Sequence, residues 1–392
     1  RLSSAPRRGE QAADGGVVIR GAVVDQLTGM VVVTGSAKAG ILSASTTTAA
    51  LGTADTVPLA GSASRGGPTS GDSWDAVLIG LPVPSLSPTN RLRGPDALPE
   101  TFSVAVRSPT ADGAVSTTII GDVNAAPQFG AGQGFATGVS VGATRTLSVG
   151  YFRGQLVFQH ADGLTSTETG AGSFAAGDQY DAIAAMYSHT AETEYLGAVR
   201  ILGADGAAND DRFRAASATP NGLFHAVVGH VTTPLPEQLI SVGGVQTTTA
   251  GNGGRDGLLA VLSDYDASVT LLTMPGATAG GDDALLAVDT NNAQVLTGGS
   301  AAGVVPTYGG PVVYSGDIGD RTIATVYLTT ISDATELWGR GYGTIADGGF
   351  AQTTAVAFSA DASRVVFAGN FRGGRLQLDG FTLNTMRSDD DS

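Results

Sequence analysis

FRAASATPNGLFHAVVG, residues 213–229, sets the architecture of this chain. A run with small and apolar residues ends in the turn Thr-Pro-Asn-Gly, and a second, more apolar run ends in glycine. Proline, asparagine and glycine are preferred in tight turns, and the two flanking runs have the composition of strands. The stretch therefore predicts a β-hairpin.

The same phrase returns along the chain. Its recurrence is an internal repeat, which determines architecture before local detail does. Six hairpins are predicted, at residues 18–35, 102–121, 135–150, 213–229, 283–298 and 353–369. Each ends in a glycine that is expected to mark a strand end where backbones crowd or φ turns positive. These glycines are Gly35, Gly121, Gly150, Gly229, Gly298 and Gly369.

A second recurring phrase lies between the hairpins. It begins near Trp74, Tyr180, Arg255 and Arg321, and in each place it predicts two further strands separated by a polar break. One repeat is then a hairpin, a glycine-rich connector and a second hairpin, which together make a four-stranded antiparallel sheet. Such a sheet cannot bury both faces alone, so neighbouring sheets must stack.

We expect an all-β fold, a β-propeller of four-stranded antiparallel blades in a single domain over residues 1–392. The strands of the 102–121 hairpin either form a truncated blade or complete the first blade. Six blades are favoured, with five as the alternative. Residues 43–72 are expected to be a long insertion or surface loop. Because both ends fall within a repeat, we expect either two ends that share one blade or a segment of a larger protein.

Composition limits the classes of partner. The formal net charge is −15, and only 15% of residues are charged while 42% are hydrophobic. An acidic surface repels phosphates, so no nucleic-acid binding is expected, and no apolar run is long enough for membrane insertion. The absence of cysteine excludes disulfides and thiolate metal sites. It suits an exported bacterial protein or a surface protein exposed to oxidants.

The repeat resembles the SBBP-type β-propeller repeats of bacterial exported and surface proteins. The matching segments are GAVVDQLTGMVVVTG at 21–35, TGVSVGATRTLSVGYF at 137–152 and AVAFSADASRVVFAGNF at 355–371, with WDAVLIG from Trp74 and YDAIAAMY from Tyr180. The resemblance assigns Asp25 and Asp289 as the family's turn acid. In two other hairpins Gly142 and Ala218 stand at that position, so the acid is missing there. The usual lysine of the second-half strand is absent.

The resemblance implies an extracellular or cell-surface location and is nearly silent on chemistry, because propellers host many functions. We expect a non-enzymatic structural module, a rigid acidic propeller for protein–protein contact or self-assembly in a surface or filament assembly. The alternative is a propeller that binds glycans or peptides, and a propeller hydrolase is third. No catalytic residue and no bound cofactor are predicted.

Acidic clusters are the one hint of metal binding. Calcium prefers several carboxylate and carbonyl oxygens in a turn, although none of these segments has the spacing of a known calcium loop. The other reading is a solvated turn in which Asp and Asn bend the backbone. The candidate calcium ligands are Asp205, Asn209, Asp210, Asp211, Asp282 and Asp283; Asp289 with Asn291, and Asp389 to Asp391, are further acidic positions.

Histidines, serines and aromatic residues give no stronger signal. His225 and His230 are five residues apart on a predicted strand, so they should point to opposite faces and not share a metal. Ser140 lies in the G-x-S-x-G match at residues 138–142, but both it and Ser300 sit in ordinary repeat positions. Phe152 and Phe371, each followed by Arg-Gly, are expected to pack in the core or between blades.

Overall fold

In the computed structural model every regular element among the described residues is a β-strand. Besides the strands, the structure describes residues 142–144, 180, 210–211, 219–223, 243–244, 264–268, 274, 282–283, 291–293, 331–335, 343, 349 and 359–364. In chain order the strands are β1 (Leu2–Ala5), β2 (Gly16–Asp25), β3 (Met30–Lys38), β4 (Ile41–Thr46), β5 (Asp55–Pro58), β6 (Trp74–Pro82), β7 (Val106–Arg107), β8 (Val115–Ser116), β9 (Thr118–Gly121), β10 (Gln133–Val141), β11 (Arg145–Arg153), β12 (Gln155–Gln159), β13 (Thr165–Thr169), β14 (Asp181–Ser188), β15 (Tyr195–Gly203), β16 (Arg212–Ala218), β17 (Phe224–Thr233), β18 (Leu239–Val242), β19 (Val245–Thr248), β20 (Gly254–Ser263), β21 (Val269–Thr273), β22 (Ala284–Thr290), β23 (Gln294–Val305), β24 (Gly316–Thr330), β25 (Glu336–Tyr342), β26 (Phe350–Phe358), β27 (Val365–Arg372), β28 (Arg375–Leu378) and β29 (Phe381–Asn384).

The chain divides into two compact units, Arg1–Ala198 and Val199–Ser392. The all-β expectation is confirmed. So are five of the predicted hairpins over most of their length, because β2 pairs with β3, β10 with β11, β16 with β17, β22 with β23 and β26 with β27, all antiparallel. The sixth, at residues 102–121, contains the short antiparallel pair of β7 with β8. The described residues contain no helix that could span a membrane.

The first unit contains a six-stranded sheet in the order β13-β12-β9-β6-β3-β2 and the run β10-β11-β14. The pairing of β9 with β6 bears on the 102–121 stretch, since its last strand completes the sheet of the first hairpin. That outcome favours the second of the two alternatives for this stretch. The 43–72 connector, predicted as an insertion or loop, contains strand β5 and most of strand β4, which pair with each other. Strand β4 also pairs with β1.

In the first unit β10, β11 and β14 form a buried core cluster, and β2 packs against it. Val139, Phe152 and Tyr187 are buried in one cluster, against which Val23 packs. The Thr34 Oγ1 and Ser148 Oγ atoms are 3.3 Å apart and share a buried hydrogen bond. Phe152 therefore packs in the core, as the sequence predicts.

The second unit contains the most regular repeats. Strands β16-β17-β20-β21 form a four-stranded antiparallel sheet, and β22-β23-β24-β25 form another. Each is a hairpin, a connector and a second hairpin, which confirms the predicted repeat. Strand β26 touches β24 through one parallel pair and pairs with β27, while β18 pairs with β15 and β19, and β28 with β29.

The sheets of the second unit pack face to face. Ala226 and Val228 of β17 and Leu259 of β20 share a buried cluster with Leu285 and Val295 of the next sheet. Apolar residues that alternate along these strands supply both faces of the contact. The cluster explains why the repeat needs a neighbour, because each sheet buries its apolar face only against the next one.

All five hairpins carry the same irregularity. The register shifts by one residue in β2, β10, β16, β22 and β26, which is a β-bulge. The residue opposite the bulge is always a glycine: Gly35, Gly150, Gly229, Gly299 and Gly369. A Cβ atom on Gly229, Gly299 or Gly369 would lie 1.9–2.0 Å from a facing carbonyl oxygen. Backbone crowding is therefore the reason for glycine.

Two details of the predicted repeat are wrong. Of the six glycines that the sequence places at strand ends, only Gly121 ends a strand; the others lie inside strands. None of them is among the described glycines with positive φ, such as Gly222. In the fifth predicted hairpin the equivalent glycine is Gly299, because Leu285 at the bulge pairs with Gly299 and not with Gly298. The period-two alternation of apolar residues does not show where a bulge lies. The sequence alone therefore misplaced this glycine by one residue.

The bulge register also corrects the position of the turn acid. Counted from the bulge, the place of Asp25 is held by Asn291, not Asp289. In the other hairpins it is held by Gly142, Thr219 and Ser359. The residue type changes, but Thr219, Asn291 and Ser359 each accept a hydrogen bond from a backbone N–H on the far side of the turn.

Candidate functional site

Charged side chains gather at one end of the β16-β17-β20 sheet. The Asp210 carboxylate accepts hydrogen bonds from Arg212 Nε at 2.6 Å and from Arg255 Nη2 at 3.4 Å. Thr232 Oγ1 donates to the Asp210 carbonyl oxygen at 2.8 Å. The ends of three strands are thereby joined by one carboxylate and its backbone. Since these side chains are partly solvated, the ion pairs contribute little to stability by themselves.

The other acids of the cluster bind backbone N–H groups. Asp211, which is buried, accepts from Thr232 N at 2.8 Å. Asp282 accepts from Arg255 N at 3.0 Å, and Asp283, also buried, accepts from the backbone N–H of Ala302 at 3.1 Å. A carboxylate that accepts such bonds stabilises the crossing of neighbouring strands.

His230 lies within this charged end and is fully buried. Burial lowers the pKa of His230 well below its ordinary value, and the guanidinium groups of Arg214, Arg255 and Arg212 lower it further. Neither ring nitrogen makes a hydrogen bond of ordinary geometry with a described residue. The main chain of Asp210 is close enough to oppose the pKa shift without cancelling it. Because its pKa is lowered in this way, the His230 imidazole is neutral at neutral pH.

His225 lies on the opposite face of β17, as the five-residue spacing predicts. Its Nε2 atom is 3.0 Å from Asp264 Oδ1, and both side chains are buried. The two histidines therefore belong to separate environments. The sequence did not identify either neighbourhood. Asp264 and Arg255 lie beyond the β16–β17 hairpin, and although Arg212 pairs with His230 across that hairpin, the repeat pattern does not show the register that brings them together.

The predicted calcium ligands are only partly placed. Asp205 and Asn209 lie outside the described residues, as do Asp389 to Asp391. Asp210 and Asp282 come together around Arg255, while the Asp211 and Asp283 carboxylates bind Thr232 N and Ala302 N. Among the described residues no three His, Asp or Glu side chains form a group that could hold a metal ion. Calcium binding stays a prediction.

A polar seam connects successive hairpins of the second unit, and Asp289 is its centre. Its Oδ1 atom accepts a hydrogen bond from Ser217 Oγ on β16 at 3.3 Å. Its Oδ2 atom accepts from Phe358 N on β26 at 2.8 Å. One carboxylate on β22 thus binds the first strands of the hairpins before and after its own.

Other bonds extend the seam between β16 and β22. Thr290 Oγ1 donates to the carbonyl oxygen of Ala218 at 2.8 Å, and Asn292 Oδ1 accepts from Asn221 N at 2.9 Å. The partners are 71–72 residues apart in the chain, which is one repeat. Polar groups of the turn ends therefore fix the alignment of one sheet on the next.

Aromatic residues and serines add no converging group among the described side chains. Trp338 on β25 is half-buried, and the Arg340 guanidinium lies over its ring at 5.0 Å from the centroid. Phe371 packs against the cluster that contains Tyr342 and Ala351, in agreement with its predicted packing role. Ser140 is buried on β10.

No family model and no curated protein matches this chain.

Proposed function

We propose that this chain is a non-enzymatic β-propeller of the SBBP type that serves as a structural module for protein–protein contact outside the cell. The observation that carries the proposal is the Asp289 seam. Its carboxylate binds Ser217 on one side and Phe358 N on the other, so its acceptor oxygens fix successive hairpins to one another. A rigid scaffold needs such bonds, whereas a catalytic carboxylate must reach a substrate.

The propeller form is supported by the way repeats meet. First strands β16, β22 and β26 of successive hairpins pack side by side, and the sheets behind them stack face to face. Radial stacking is the arrangement that gives every sheet two covered faces. We infer five blades instead of six, because β9 joins the sheet of the first hairpin.

The extracellular assignment comes from composition and repeat type. The chain has no cysteine and a net charge of −15, and its repeat resembles that of exported bacterial proteins. High net charge keeps a protein soluble and directs it away from nucleic acid. A partner with complementary basic patches would associate most rapidly with such a surface.

The test uses intact cells of the source organism. An antiserum raised against the chain is applied without permeabilisation, and surface-exposed proteins are then cross-linked and identified by mass spectrometry. We expect surface labelling and cross-links from this chain to a protein or to further copies of itself. Labelling only after permeabilisation would overturn the proposal, and selective retention on a glycan array would favour the glycan-binding alternative.

A further inference from the structure

The turn between β16 and β17 contains an asparagine followed directly by a glycine. Its sequence is Thr219-Pro220-Asn221-Gly222, and Gly222 has a φ of 70°, in the left-handed region that glycine adopts without penalty. The Gly222 N–H donates a hydrogen bond to the Thr219 carbonyl oxygen at 2.7 Å and closes the turn. Turn geometry therefore requires glycine directly after Asn221.

An Asn-Gly pair is chemically labile, because glycine has no side chain to shield its backbone nitrogen. When the Gly222 nitrogen attacks Cγ of Asn221, a new C–N bond forms and the bond from Cγ to Nδ2 breaks. The side-chain NH2 group leaves as ammonia, with the proton that the Gly222 nitrogen loses. Water then adds to the resulting succinimide ring and opens it to aspartate or to isoaspartate.

The closed turn withholds the attacking nitrogen. Gly222 is buried, although Asn221 beside it is exposed. The Thr219 carbonyl oxygen holds the Gly222 N–H proton, and a hydrogen bond to the protonated form of a group disfavours loss of the proton. The nitrogen is therefore a poor nucleophile as long as the turn stays closed.

The Asn221 side chain is held as well. Its Oδ1 atom accepts hydrogen bonds from Thr219 Oγ1 at 2.7 Å and from Leu223 N at 3.1 Å. A backbone N–H can only donate, so the bond from Leu223 fixes which end of the carboxamide is the oxygen. Ring closure draws Cγ onto the Gly222 nitrogen and displaces Oδ1 from this pair of donors.

Asn221 also belongs to the contact between successive repeats. Its backbone N–H donates to Asn292 Oδ1, in the turn between β22 and β23, at 2.9 Å. Aspartate at position 221 keeps these bonds, since a carboxylate oxygen accepts as the amide oxygen does. Isoaspartate routes the main chain through its Cβ and Cγ atoms, so the turn gains an extra backbone atom and its hydrogen bonds lose their alignment.

We propose that Asn221 is a latent deamidation site, which the closed β16–β17 turn protects and which opening of this turn converts to isoaspartate and aspartate. The only reactant from outside the chain is water. The isoaspartate product does not close the turn again, so it releases the bond to Asn292 and loosens one repeat from the next. This inference is independent of the proposed function.

The first test follows residue 221 by peptide mass spectrometry in the folded chain and in the chain unfolded in guanidinium chloride, at the same pH and temperature. We expect deamidation to be at least about tenfold slower in the folded chain, because the open turn is a minor state. The pair Asn252-Gly253, measured in the same digests, checks that the solution conditions match. Equal or faster deamidation of Asn221 in the folded chain would overturn the inference, since the two donors to Oδ1 would then be activating the carbonyl group.

Variants at Thr219 test the hydrogen bonds themselves. Thr219→Val removes Oγ1 and should speed deamidation in the folded chain, whereas Thr219→Ser keeps the hydroxyl and should restore the slow rate. An unchanged rate in folded Thr219→Val would contradict the inference. The comparison of folded and unfolded unaltered chain needs no variant, so it decides even if Thr219→Val does not fold.

Amide exchange tests the consequence for the turn. The isoaspartate form, isolated after ageing of the unaltered chain, is compared with Asn221→Asp, the matched control that has the same charge and an ordinary main chain. We expect faster exchange at residues 219–224 in the isoaspartate form alone. Identical exchange in the two proteins would show that isoaspartate leaves the turn closed, and the inference would fail.

Discussion

The missing side chain of Gly229, Gly299 and Gly369 permits the bulge in three of the hairpins. Gly229 in β17 faces the carbonyl oxygen of Arg212, and a Cβ there would lie 1.9 Å from that oxygen. Real Cβ atoms do not approach oxygen so closely, so the strand would have to move. The bulge raises local twist, which helps one sheet stack on the next.

We expect Gly229→Ala to destabilise the chain by about 3 kcal/mol, the upper end of the range for overpacking a closely packed interior. Gly257→Ala in the adjacent strand β20 is the matched control. A Cβ there would first meet the Leu285 side chain at 3.2 Å, which can adjust. Urea unfolding of the two variants decides, and equal midpoints would contradict the role given to the bulge glycine.

His230 makes stability depend on acid. Its pKa in the folded chain is lowered well below the ordinary value of 6.5, so below that pH the unfolded state binds more protons than the folded state. Its contribution to stability is therefore complete above about pH 6.5 and is lost as the pH falls from there towards the folded pKa, by at most about 1.4 kcal/mol per pH unit for one proton.

The comparison is between the unaltered chain and His230→Gln, whose side chain cannot titrate. Urea midpoints measured between pH 7.5 and pH 5.5 should fall less steeply in the variant. The acidic residues contribute to both proteins and cancel in the difference. Parallel slopes would contradict this account, because they would show that His230 has the same pKa in the folded and unfolded chain.

At the scale of elements, three hairpin turns share one design. Asp-Ala-Ser or Asp-Ala-Thr places an alanine in the left-handed region, with φ of 61° at Ala267, 57° at Ala334 and 55° at Ala362. In the last turn the Asp361 carboxylate accepts bonds from Ser359 Oγ, Ser363 N and Ser363 Oγ, and these bonds lower the pKa of Asp361 to about 2. The acid thus holds a turn whose alanine is strained.

Ala362→Gly should stabilise the chain, since glycine avoids a left-handed penalty of about 1–2 kcal/mol and gives back about 0.5–1 kcal/mol of chain entropy. A net gain of up to about 1.5 kcal/mol is expected in thermal unfolding. Ala357→Gly, in the extended part of β26, is the control and should lower the melting temperature. A lower melting temperature for Ala362→Gly as well would contradict the turn geometry.

The seam between β16 and β22 is testable because the chain has no cysteine. Ser217 Oγ and Thr290 Oγ1 are 3.3 Å apart, so the double variant Ser217→Cys with Thr290→Cys should form a disulfide under mild oxidation. The control pair, Ala216→Cys with Thr290→Cys, moves one cysteine to the other face of β16 and should stay reduced. Mass spectrometry of the oxidised variants measures the disulfide in each pair. Equal disulfide formation in both pairs would contradict the packing of β16 against β22.

Sequence and structure agree best where the signal is local. Five of the six hairpins were predictable, because their strands and turns lie within about 20 residues of each other and carry turn residues at the right place. The place of β9 was not, since its pairing with β6 depends on tertiary contacts. The seam was not either, because Asp289 joins Ser217 and Phe358, each about one repeat away in the chain.

For the whole molecule, repetition explains more than any single residue. A bulge and a glycine recur from hairpin to hairpin, so one solution to strand packing is used again with different side chains. At the turn the residue type varies: Thr219, Asn291 and Ser359 accept a hydrogen bond with their side chains, whereas the backbone N–H of Gly142 donates to the Arg145 carbonyl oxygen. Architecture of this kind tolerates sequence drift, because each repeat contacts only its neighbours.

The central proposal is a radial array of four-stranded sheets led by β2, β10, β16, β22 and β26. An experimental electron-density map of the purified chain tests it most directly. The account predicts five sheets around one axis, with these five first strands nearest the axis and a bulge glycine in each second strand. Two sheets packed as flat layers, or first strands that do not share an axis, would contradict it.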